Sequence, residues 1–167
     1  MTKHRRPRGR EVSMKRMFAA LLLLFALPLQ AGQSAIRSVE AKAPADAVYK
    51  ALYRELEARR LFVVFEADIG GTLAGMAERL GEDYNRNRLE AIRSLVVCNA
   101  WYANRVSNLD PEMLALCPLR LTVVHKAGLT RILFAPPSVH AAGSPALPVI
   151  REIEGKVIEA MRAAVAP

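Results

Sequence analysis

Residues 94–124 read SLVVCNAWYANRVSNLDPEMLALCPLRLTVV, and this stretch decides the fold. It opens inside an apolar run, 92–98, whose length and composition suit a well-buried strand. Asp110-Pro111-Glu112 then signals a helix start, with Asp as N-cap and Pro at the first position, and that helix should run to about Leu116. Residues 119–125 and 129–135 are two further strands. Lys126-Ala127-Gly128 joins them as a hairpin with Gly in the turn. Between the buried strand and the helix lies the polar and aromatic run Cys98-Asn99-Ala100-Trp101-Tyr102-Ala103-Asn104, which reads as loop.

Working upstream, 36–42 (IRSVEAK) alternates apolar and polar residues, the period of a half-buried strand. Pro44 and Asp46 open a segment with Val48, Leu52 and Leu56 on one helical face, ending at the cations Arg59 and Arg60. Residues 61–67 (LFVVFEA) form a second strand, and Asp68-Ile69-Gly70-Gly71 a turn. Leu73, Met76, Ala77 and Leu80 make a short helix stopped by Gly81, and the polar run 82–88 favours turns. Downstream, 136–148 is a loop rich in Pro, Ala and Gly. Val149, Ile150, Ile153, Val157, Ile158 and Met161 then share one side of a long helix that tolerates Gly155. The order is β-α-β-α-β-α-β-β-α. The expected architecture is α+β: a single domain over 36–164 with a mixed sheet of about five strands and helices packed on one face.

The 167 residues are 52% hydrophobic and 24% charged, enough for one domain with a sizeable core. The formal charge of +8 is unevenly placed. Residues 1–31 hold seven basic groups and one acid, a net of +6, whereas the other 136 residues carry 17 basic and 15 acidic groups, a net of +2. A net of +2 cannot make the basic footprint that nucleic-acid binding needs. The basic segment instead has the layout of a secretory signal: cations to Arg16, an apolar run over 17–27, and a small residue at a cut after Ala31 or Ala35. Met14 is as good a start as Met1. Even 17–29 is too short to span a bilayer, which takes about 20 apolar residues. The expectation is a signal peptide over 1–31, a periplasmic mature chain, and no stable membrane span after cleavage.

Cys98 and Cys117 admit three readings. In an oxidising compartment they can pair, and closing a loop of about 20 residues would contribute roughly 3 kcal/mol. They can also be two separate buried thiols, or a reactive or metal-binding site. There is no Cys-x-x-Cys spacing to support thioredoxin-like chemistry. Tyr84, Asn85, Asn99, Trp101, Tyr102 and Asn104 supply neutral hydrogen bonds and apolar walls, the mixture of a small-ligand pocket. The same residue types also hold turns and cap helices. His125 at a strand end reads as a surface residue, and with His140 it defines no ligand spacing. No catalytic residues, cofactor loop or metal set are nominated, and the expected cofactor list is empty.

The stretch 94–124 resembles the core of domain-of-unknown-function family 302. In that family a strand ends in a Cys-Asn or Gly-Asn pair, an Asp-containing helix follows, and a Leu-Pro-x-Arg segment opens the next strand. Here those features fall on Cys98-Asn99, Asp110 and Pro118-Leu119-Arg120, and the likeness extends over 36–161. Many exported members place a Cys directly after the Pro. This chain has Leu119 there, with Cys117 one residue before the Pro, so no role for a cysteine pair carries over from the resemblance. The resemblance implies a compact α+β domain, leaves a homodimer open, and implies no reaction. The functional expectation is an uncharacterised exported protein that acts as a non-catalytic periplasmic small-ligand-binding or accessory module. Two alternatives stand beside it: a thiol-dependent redox or sulfur-handling protein using Cys98, and a structural or partner-binding domain.

Overall fold

The computed structural model describes residues 35–166; the expected signal segment lies outside them. Five strands make one sheet: β1 (Arg37–Ala41), β2 (Phe62–Asp68), β3 (Ala91–Cys98), β4 (Leu119–Lys126) and β5 (Leu129–Phe134). The helices are α1 (Ala45–Ala58), α2 (Ile69–Ala74), α3 (Ala77–Leu80), α4 (Ala100–Leu109) and α5 (Leu147–Ala164). The α+β architecture is as expected. The strand order is β1-β5-β4-β3-β2, and every neighbouring pair is antiparallel. The expected mixed sheet is thereby corrected. A β-α-β connection returns the chain in its original direction, and β1 and β2 do run the same way. Yet α1 carries the chain across the whole sheet, leaving three strands between them, so no parallel pair forms.

Register places the core. Val97 faces Leu119, Leu95 faces Leu121, Leu121 faces Phe134 and Val123 faces Ile132, all of them buried. The alternation along β4 and β5 turns these side chains toward one face, as a period of two requires. Leu52 and Leu56 of α1 and Val157 and Met161 of α5 cover that face and are fully buried. Burying each such side chain contributes roughly 1.5–3 kcal/mol. The two long helices also pack against each other.

Three local differences from the sequence reading have physical causes. Residues 100–109 are a helix, not loop: Asn99 N-caps α4, its Oδ1 accepting from the Trp101 and Tyr102 amides at 2.9 and 3.1 Å. Tyr102 and Val106, four apart, are its buried residues. The expected Gly70-Gly71 turn lies inside α2, because Asp68 Oδ1 accepts from the Gly71 amide at 2.9 Å and caps it. The helix expected from Asp110 is a 3₁₀ helix, Pro111–Leu116, with the Asp cap and the Pro as read. The β4–β5 hairpin turns on Ala127 and Gly128, both at positive φ, the geometry of a type I′ turn.

Candidate functional site

The two ends of β3 lead into two different depressions. At its C-terminal end, the β3–β4 register continued by one step sets Cys98 across from Pro118, one residue from Cys117. Thus a strand end and a returning 3₁₀ helix bring together two cysteines that are 19 positions apart in sequence. Both are free, half-buried thiols, and Cys98 lies near enough to Cys117 to act on it electrostatically. They line an apolar slot of about 30 Å³ with Val97, Tyr102, Val106, Met113 and Leu116; Ile150 and Ile153 of α5 close it. A volume of that size holds one or two waters. Burial pushes the Cys117 thiol up to about 11, and the neighbouring Cys98 adds to the shift. A thiol shifted in that direction is a poor nucleophile at neutral pH, since the thiolate is the reactive form.

The rim of the slot is a polar clamp. Tyr102 Oη donates to Glu152 Oε1 at 2.6 Å, and Arg105 donates to Glu152 Oε2 at 2.8 Å. The Arg105 guanidinium also lies 4.4 Å from the centre of the Trp101 ring, which meets Tyr102 edge-on at 4.9 Å. These contacts fasten α4 to α5 over the slot. Burial pushes the Tyr102 phenol up to about 12, helped by its bond to Glu152. The Tyr102 and Arg105 donors hold the Glu152 carboxyl below its usual range. Asn99 is engaged on both sides: besides capping α4, its Nδ2 donates to the Arg60 carbonyl at 2.7 Å. Asn104 is exposed on α4, and Trp101 is 59% exposed.

The N-terminal end of β3 borders an open cleft of about 380 Å³, where Tyr84 and Asn85 meet Asp46, Asp68, Gly70 and Arg93. Asn85 is tied to Leu89, donating to its carbonyl and accepting from its amide, both at 2.8 Å. Arg93 donates to Asp46 Oδ1 at 2.8 Å and lies 4.7 Å from the centre of the Tyr49 ring. Tyr49 in turn donates to Glu66, and burial with that bond raises its pKa well above the ordinary phenol value.

The six polar and aromatic candidates therefore do not share one site. Asn99 and Tyr102 line the slot, Trp101 and Asn104 stand exposed on α4 outside its lining, and Tyr84 and Asn85 sit at the other end of a strand roughly 25 Å long. Sequence reasoning did not find Met113, Val106, Ile150 and Ile153 as slot walls, nor Arg105 and Glu152 as the clamp. Tyr102, Arg105 and Val106 do share a helical face by spacing, a signal that the loop reading hid. Glu152 arrives from α5, and no local pattern announces it. His125, expected at the surface, is half-buried: Nδ1 lies 2.7 Å from Thr130 Oγ1 and Nε2 3.3 Å from Glu90. Thr130 Oγ1 donates to the Ala43 carbonyl, so it accepts from Nδ1–H and the imidazole braces the hairpin. Among the described residues no group of three or more His, Cys, Asp or Glu is placed to hold a metal, and no helix is long and apolar enough to cross a membrane.

Comparison with known proteins agrees with the architecture. The family described as "Domain of unknown function DUF302" matches residues 37–166. The crystal structure of an uncharacterized conserved DUF302 protein from Bacillus stearothermophilus superposes with a TM-score of 0.68 at 19% identity. The match covers 79% of this chain and 99% of that one. At that identity the likeness speaks for the fold alone. A search of curated proteins gave no match.

Proposed function

This chain belongs to the DUF302 family of domains of unknown function, and from that premise we propose that it is an exported, non-catalytic module binding a small ligand in the slot at the C-terminal end of β3. The observation that carries the reading is the slot itself: apolar walls from β3, α4, the 3₁₀ helix and α5, with the amide of Asn99 and the phenol of Tyr102 at its edge. That is the composition of a small-molecule site, apolar with few oriented polar groups. Its volume calls for a very small occupant. Export rests on the basic residues to Arg16 and the apolar run 17–27, with cleavage after Ala31.

The test is a native mass spectrum of protein secreted to the periplasm with its own signal. The expected spectrum has a chain beginning at Gly32 plus extra mass that leaves on denaturation. A bare chain with the slot intact, or an uncleaved chain retained in the membrane, would refute the reading. A second reading, docking of another copy through the sheet edge, has one observation in its favour. β2 is an edge strand and exposes Phe62, Val64 and Phe65, the last at 61%. A concentration-dependent dimer abolished by Phe65→Lys would support it, and a monomer at all concentrations would remove it.

A further inference from the structure

The slot unites three sulfur side chains: Cys98 at the end of β3, Met113 in the 3₁₀ helix, and Cys117 just after it. It is too small for most organic ligands but wide enough for a single ion among sulfurs. Among the described residues no cluster of three or more His, Cys, Asp or Glu offers the set that Zn(II) favours. Paired thiolates with a thioether are soft donors, and soft donors select Cu(I). We propose that the occupant of the slot is one Cu(I) ion, bound between the sulfurs of Cys98 and Cys117 with the Met113 thioether beside it. The assignment rests on reading the slot as a ligand site, and it names the ligand.

The chemistry balances without a redox step. Two S–H bonds break, two S–Cu bonds form, both protons go to solvent, and copper enters and stays as Cu(I). Binding is therefore proton-coupled and tightens as pH rises.

The secreted protein, reduced and kept anaerobic, is titrated with Cu(I) against a chromophoric Cu(I) chelator. Wild type should withdraw a single Cu(I) per chain, and Cys98→Ser and Cys117→Ser should withdraw none at the same chelator concentration. Met113→Leu, which keeps the apolar bulk, should weaken retention by about tenfold. Should a cysteine variant fail to fold, protection decides on wild type: Cu(I) must shield both thiols from alkylation. Copper left wholly on the chelator would overturn the assignment, as would thiols alkylated equally with and without Cu(I). An organic mass retained alike by wild type and by the double variant Cys98→Ser/Cys117→Ser would overturn the copper site while leaving the slot a ligand site. A bare chain that also takes up no Cu(I) would end both.

Discussion

At one end β3 feeds an apolar slot roofed by α4 and α5, and at the other it borders an open cleft of carboxylates, amides and Arg93. The same strand serves both, so the difference lies in what the connections bring. The β3–β4 connection returns through α4 and a 3₁₀ helix, elements with apolar faces that must be buried. The chain leading into β3 arrives through short helical turns rich in Glu, Asp, Asn and Arg, which can stay solvated. Slot walls thus belong to the hydrophobic core, and cleft walls belong to the surface. One consequence is that substitutions at the slot end should cost stability, while those at the cleft end should not.

The largest expected effect is at Ile150, buried between slot and core. Ile150→Ala should lower unfolding free energy in urea by about 2–4 kcal/mol, since deleted methylenes leave a cavity. A loss within a few tenths would mean that the slot is not continuous with the core. Asn99→Ala removes the α4 cap and the bond to Arg60; its expected cost is about 1–2 kcal/mol. Tyr102→Phe takes the clamp hydroxyl from Glu152 and should cost about 1 kcal/mol near neutrality. It also carries a pH signature. The folded-state phenol is raised from 10 to about 12, so the folded protein holds a proton that the unfolded chain loses first. Stability from this group is complete below pH 10 and is lost as pH climbs toward 12, and the Phe variant should show a shallower alkaline decline. Smallest is Arg93→Ala at the cleft: its ion pair with Asp46 is solvent-exposed, and unfolding free energy should fall by no more than about 0.5–1 kcal/mol. A cleft variant as costly as Ile150→Ala would erase the contrast between the two ends.

Much of the fold was legible because period and punctuation agree there. Val48, Leu52 and Leu56 at helical spacing mark α1, and Val149 through Met161 mark α5, both as expected. The hairpin was legible from Gly128. Strand direction across the sheet was not, because no local pattern tells how far α1 will carry the chain. The helix at 100–109 escaped because exposed Asn104 and Asn108, with half-buried Ser107, read as loop. Its two buried residues, Tyr102 and Val106, leave only a thin apolar stripe. Of the site, the cysteines and the Asn99–Tyr102 group could be read locally. Their meeting with Met113 and the α5 residues is tertiary, as is the distance that separates Tyr84 and Asn85 from them.

The most direct measurement compares native mass spectra of two variants of the secreted protein, one filling each depression. Ala103→Leu places bulk in the slot, and Ala74→Leu places the same bulk in the cleft. With the ligand in the slot, extra mass is retained by Ala74→Leu and lost from Ala103→Leu while both remain folded. Retention by Ala103→Leu with loss from Ala74→Leu would contradict the assignment and move the site to the other end of β3.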